Sequence, residues 1–187
     1  MRQYLSLVGI HEGVSILDLG GHPEFWASVE TSLNLTIVNL DPVALTPTSA
    51  HHRIRYVFGD ACNVNGFPDR SFDTVFSNSV IEHVGDRERR VAFAREVRRL
   101  GKSYWVQTPA KWFPFEPHAR MLLWWFYPQP LRRWLIARWR TTMPVFAQMI
   151  EETDVLSLTE LCQLFPEASI SIERVLGIPK SYIAYFK

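Results

Sequence analysis

The chain has 187 residues, 47% of them hydrophobic, and a formal net charge of +1, which suits one domain with a sound core and sets up no field favouring nucleic acid. Its two cysteines, Cys62 and Cys162, lie in unrelated segments, which excludes a disulfide framework and a CxxC metal pattern and leads to the expectation of a cytoplasmic protein. No signal peptide opens the sequence, and Arg, Gln and Pro interrupt its most apolar region before it reaches membrane-span length.

Leu5, Leu7, Val8 and Ile10 suit one or two helical turns. Val14, Ile16, Leu17 and Leu19 then form a short apolar run that stops at Gly20 and Gly21, the pattern of a buried parallel strand ending in a tight turn. Pro23, Glu24 and the apolar Phe25, Trp26 and Val29 predict a helix over residues 25–33. A second strand is expected at 35–40 and a loop at 42–49. A third strand at 54–58 precedes Gly59, Asp60 and Ala61. A fourth strand, 72–76, ends in Ser77, Asn78 and Ser79. Helical spacing of Val91, Phe93, Ala94, Val97 and Leu100 predicts a helix over 87–100 whose arginine face is solvated. A fifth strand is expected at 103–107.

From 108 to 150 the chain is rich in Trp, Phe and Tyr. This segment is expected to be a cap over an acceptor pocket, a homodimer surface or both, with Pro128 and Pro130 breaking it into two helical pieces. Trp134, Ile136 and Trp139 lie among Arg132, Arg133, Arg138 and Arg140, a mixture that also suits peripheral contact with a membrane. A helix over 159–165 and strands at 170–176 and 182–186, joined through Gly177 and Pro179, close the chain. There is no internal repeat.

The crevice beyond Gly20 is where an open α/β sheet binds its ligand. A dinucleotide turn needs three spaced glycines and places a pyrophosphate on a helix N-terminus. Here the later positions are His22, Pro23 and Glu24, and Glu24 repels phosphate. Asp18 adds a second negative charge. This balance suits a ligand with cationic groups and no phosphate, and S-adenosylmethionine, with its sulfonium, ammonium and adenosine, meets it. Asp41 ends the second apolar run about 20 residues past Gly20, the distance of an acidic residue that holds ribose hydroxyls.

The segments SILDLGG, TIVNLDP, FGDACNV, FDTVFSNSVIEHV and TPAKWFPFEPH, running from roughly position 14 to 118 in order, resemble those of class I S-adenosylmethionine-dependent methyltransferases of the small bacterial type. The resemblance implies a single domain over 1–187. Its sheet would be Rossmann-like, seven-stranded and mostly parallel, with helices on both faces and an antiparallel C-terminal strand pair. It implies cofactor contacts at Asp18, Gly20, Gly21, His22, Asp41, Asp60, Ala61, Ser77 and Asn78, with Asp60 receiving the adenine amino group.

Methyl transfer from a sulfonium is an in-line displacement in which alignment does most of the work. A hydroxyl acceptor must also lose its proton, to a base or with help from a metal. Glu82, His83 and His118 are the candidates. Together they make a competent divalent set, with Mg2+ as the ion; singly, one of them is a metal-free general base. An EH pair after the fourth strand also occurs in this family with no catalytic duty. His22 is placed in the cofactor turn, and His11, His51 and His52 on the surface. The leading expectation is O-methylation of a saccharide or related small molecule. The alternatives are a membrane- or RNA-associated binding protein on the same fold and an N-methyltransferase.

Overall fold

A computed structural model describes residues 4, 8–9, 11–40, 51–111, 113–116, 121–122 and 124–187, with the backbone alone at 115, 116, 121, 122 and 125. Seven strands form one sheet: β1 (Ser15–Leu19), β2 (Asn34–Asn39), β3 (Arg53–Phe58), β4 (Phe72–Asn78), β5 (Gly101–Pro109), β6 (Ser169–Val175) and β7 (Ile178–Phe186). Their order is β3-β2-β1-β4-β5-β7-β6. The first five are parallel, and β7 runs antiparallel to both β5 and β6. The chain leaves β1 in one direction for β2 and β3, then returns to the other side of β1 for β4 and β5. That reversal opens a crevice at the carboxyl ends of β1 and β4.

The pleat sends alternate residues to opposite faces. Leu17, Leu19, Val75 and Val106 face α1 (Arg87–Leu100) and α4 (Leu158–Leu164), which contribute Phe93, Ala94, Val97, Leu161 and Leu164. Ile16, Ile37, Phe76 and Trp105 face Tyr4, Trp26, Val29 and Leu33. Each large side chain buried this way contributes about 2 kcal/mol. Asp86 caps α1 by accepting the Arg89 N–H at 3.0 Å, a contact worth about 1 kcal/mol. The arginine face of α1 is not wholly solvated. Arg90 is buried and binds Glu160 and Asp154 at 2.8 and 2.5 Å, which ties α1 to α4.

The helix expected over 25–33 is replaced by one 3-10 turn, Pro23–Trp26. Two tertiary bonds outweigh the apolar spacing. Trp26 Nε1 donates to the buried Asp18 carboxylate, and the Trp26 carbonyl lies 3.0 Å from His52 Nε2. Ser28, Thr31 and Ser32, poor helix formers, offer little to oppose them. His52 is accordingly buried, whereas His11 and His51 are exposed as expected.

In the aromatic segment, Trp124 opens a short 3-10 turn, followed by α2 (Gln129–Thr142) and α3 (Pro144–Glu152). Pro128 and Pro130 stand at the start of α2, where a missing N–H costs nothing. The break between the two helices falls at Pro144 instead. Trp139 packs on Trp124 at 5.6 Å and on Phe146 at 5.1 Å, forming a small core of its own.

Leu176 and Gly177 form the two-residue loop between β6 and β7, with φ of 51° and 82°. This loop type favours Asn-Gly, and Leu176 is 96% exposed and disfavoured there. Leu176→Asn is expected to stabilise the fold by about 1 kcal/mol and raise the melting temperature by about 2–4 °C. A melting curve that is unchanged or lowered contradicts this assignment.

Candidate functional site

Gly20 leaves β1 with φ +74°, and its N–H donates to the Val38 carbonyl at 2.7 Å. A Cβ here would lie 2.6 Å from a Val80 methyl carbon. At Gly21 a Cβ would lie 1.8 Å from an Asp18 carboxylate oxygen. Both positions therefore require glycine, one for backbone angle and space, the other for space alone. Asn39 Nδ2 donates to the Gly21 carbonyl at 3.0 Å and fixes the turn from the β2 side.

Asp18 is buried beneath this turn. Its Oδ2 accepts from Trp26 Nε1 at 2.7 Å, while Oδ1 has no hydrogen-bond partner among the described residues. Burial raises its pKa to about 7, although the Trp26 bond works against the rise. Asp18 is thus only partly ionised near neutrality, a weaker fixed charge than its place in the sequence implied.

At the tip of β3, Gly59, Asp60 and Ala61 form the opposite wall. Asp60 Oδ1 accepts the Cys62 N–H at 2.9 Å. Arg89 of α1 grips the same carboxylate with both terminal nitrogens, at 2.8 and 3.0 Å. Partial burial raises the Asp60 pKa, but the bonds from Arg89 and Cys62 outweigh it and hold the carboxyl below its ordinary range.

At the tip of β4 the residues diverge. Ser77 is buried, and its hydroxyl donates to the Leu19 carbonyl at 3.0 Å, clamping β4 to β1. Asn78 pairs with Gln107 inside the sheet. Ser79 adopts φ +56° and turns the chain toward Val80. Glu82 is fully buried and accepts the Thr108 hydroxyl at 3.1 Å. His83 Nδ1 lies 3.3 Å from Thr153 Oγ1, whose hydroxyl donates to the Met149 carbonyl at 2.7 Å. That hydroxyl has one proton, so toward His83 it accepts. Nδ1 then carries the ring hydrogen, and Nε2 is the proton-accepting nitrogen of the neutral ring.

A cleft of about 250 Å3 runs between these walls. Of the residues proposed from sequence, Gly20, His22, Asp60, Ala61 and His83 line it. Asp18 and Gly21 lie behind the turn. Ser77 and Asn78 belong to the sheet, because their position at a strand tip does not reveal which way they face. Glu82 points to β5 and His83 to the cleft, so the pair does not converge on one ion. Among the described residues no group of three His, Cys, Asp or Glu is placed to hold a metal. Asp41 and His118 lie outside the described residues, so neither the ribose contact nor the third member of the Glu82, His83 and His118 set is located. Sequence reading missed Val38, Asn39, Ser79, Val80, Val84 and Arg89 in the lining. Only the boundary positions Asn39, which reaches the glycine turn, and Ser79, just past the end of β4, carried a usable signal.

An unfolded aspartate titrates near 3.9, so between about pH 4 and 7 folded Asp18 keeps a proton that the unfolded chain has lost. Its contribution to stability is full below this window and declines as pH rises through it, by roughly 1.4 kcal/mol per unit at most. Asp18→Asn is expected to flatten this part of the curve, so the variant gains on wild type between pH 4 and 8 in thermal melts. Parallel curves would contradict the assignment.

Residues 17–104 match the model of the methyltransferase domain family. No curated protein matches the chain. Solved structures share its fold at low identity. A SAM-dependent methyltransferase from Aquifex aeolicus is 14% identical with a TM-score of 0.56, covering 98% of this chain and 87% of its own. One from Methanosarcina mazei is 16% identical with a TM-score of 0.56, covering 94% and 92%. The 1,6-didemethyltoxoflavin-N1-methyltransferase of Burkholderia thailandensis, with S-adenosylhomocysteine bound, is 13% identical with a TM-score of 0.60, covering 98% and 74%. Residues 17–104 thus match the methyltransferase domain family, and on this sheet order, with the glycine turn at the tip of β1, the chain has the fold of the S-adenosylmethionine-dependent methyltransferases.

Proposed function

We propose that the chain binds S-adenosylmethionine in the cleft between Gly20 and Asp60 and methylates a hydroxyl of a saccharide or related small molecule. The observation that carries the cofactor reading is the segment after the glycine turn. A pyrophosphate needs free N–H groups at a helix N-terminus. Here a four-residue 3-10 turn begins with Pro23, which has no N–H, and Glu24, which is anionic. The Asp18 carboxylate lies behind Gly21 and outside the cleft lining, so it favours a cation over a phosphate through its charge and not by contact. The residues present therefore fit the group.

When bound, S-adenosylmethionine supplies a methyl already activated by the sulfonium. The chain's own residues bind, orient and take a proton. Asp60, held ionised by Arg89, would accept from the adenine amino group, and Val38 and Val80 would offer apolar walls to the ring. Gly20 would let the backbone approach the methionine portion. His83 Nε2 takes the acceptor's hydroxyl proton as the methyl transfers, and Thr153 holds the tautomer that makes this step available. Glu82 Oε2 accepts from Thr108 on β5 while His83 lines the cleft, which supports the single-base reading over a bound Mg2+.

The acceptor side is assigned to the cap, which begins after β5 ends at Pro109, two residues later than the sequence suggested, and runs to 150. The chain leaves α3 through Thr153 and Asp154, and the Asp154 N–H donates to the Glu82 carbonyl at 2.9 Å beside the cleft. Aromatic rings in such a cap suit sugar faces. The N-methyltransferase reading stays in view because an amine acceptor needs no base, and one neighbour of the same fold is an N1-methyltransferase.

The test is methyl transfer to a panel of sugars and amines, with wild type and His83→Gln. For a hydroxyl acceptor, the expected loss in kcat is about 10²–10⁴-fold, with S-adenosylmethionine affinity unchanged. Thr153→Val is expected to reduce kcat about tenfold and shift its pH profile, with the acceptor KM unchanged. Full turnover by His83→Gln on a hydroxyl acceptor removes the base assignment. Turnover confined to amines replaces O-transfer with N-transfer.

A further inference from the structure

α2 is a helix of 14 residues and none of them is buried. Its inner side, with Leu135, Ile136 and Trp139, packs against Trp124 and α3. Its outer side presents Leu131 and Trp134, one turn apart, and Val145 stands just beyond its end. Trp134 is 57% exposed and Val145 81%. Arg138 lies 5.9 Å over the Trp134 ring, one turn further along the same face. Neither Arg133 nor Arg138 has a carboxylate partner among the described residues, whereas Arg140 is paired with Glu151. Between Glu116 and Glu151 the sequence holds five arginines and no Asp or Glu.

We propose that this face docks on an anionic lipid surface, with α2 lying in the interfacial plane. The charge sign selects an anionic partner. The aliphatic members, Leu131 and Val145, select lipid over nucleic acid, because exposed aliphatic groups gain nothing from phosphate or base edges and gain from transfer into acyl chains. The aromatic-arginine pair suits the headgroup level, where a ring is half apolar and half wet. A helix of this length is about 21 Å long, which matches lying along a membrane rather than crossing it. No described helix is long and apolar enough to span one. α3 leads from this surface to Thr153 at the cleft, so docking sets the cap beside the membrane.

The experiment is co-sedimentation of the full chain with phosphatidylcholine vesicles, with and without about one third phosphatidylglycerol, over a salt series. Binding is expected only with the anionic lipid, weakening as salt rises. The double variant Arg133→Gln, Arg138→Gln is expected to bind about thirtyfold more weakly, with an unchanged melting temperature. Val145→Ser, which leaves every charge in place, is expected to bind several-fold more weakly. Absence of binding to anionic vesicles overturns the proposal. So does binding to poly-U RNA without vesicle binding. A soluble dimer that shields Trp134 and leaves vesicles unbound also overturns it.

Discussion

The Asp18 carboxylate, buried under Gly21 and bonded to Trp26, is the contact on which the rest of the site depends. It forbids a side chain at position 21, so the turn at the end of β1 stays thin. It also draws Trp26 into the sheet, where its ring meets Phe76 at 5.0 Å and Tyr4 at 6.1 Å. Phe76 and Trp105 thereby gain a cover on a face with no described long helix. The cost is a buried carboxyl whose pKa is raised to about 7, and a nearby cation would favour its ionised form.

Around that contact the sheet brings four strand tips to one place. Ser77 holds β4 against β1, Asn39 holds the glycine turn against β2, and Arg89 reaches from α1 to fix Asp60 at β3. Each clamp joins elements that are distant in sequence. The cleft is therefore held by contacts between strands and helix α1, and the chain that follows α3 joins it through the Asp154 N–H on the Glu82 carbonyl. The small core around Trp124 and Trp139 packs separately from the sheet.

The sheet was legible because parallel strands read as short apolar runs, and the order of β1 to β5 follows from those runs and their turns. Helix α1 was legible to the residue from the spacing of its apolar side chains, and the Asp86 cap came into view only in the structure. The 3-10 turn was not, because Pro23 and the apolar residues after it imitate a helix start, and the bonds that override them come from Asp18 and His52. Ser77 and Glu82 sit where site residues belong, yet each turns inward to a partner on a neighbouring strand, Leu19 or Thr108. Arg89 carried no signal, since its partner Asp60 lies on another element and the arginines around it look alike. Thr153, likewise, becomes informative only once α3 has placed it beside His83.

We propose that the crevice holds a cationic methyl donor near a carboxyl, Asp18, that is only partly ionised around neutrality. Calorimetric titration with S-adenosylmethionine at pH 7, in two buffers of different ionisation enthalpy, tests it most directly. Saturable one-to-one binding with net release of protons is expected, because a cation in the cleft favours the ionised form of Asp18 behind it. No saturable heat, or binding accompanied by proton uptake, would contradict it.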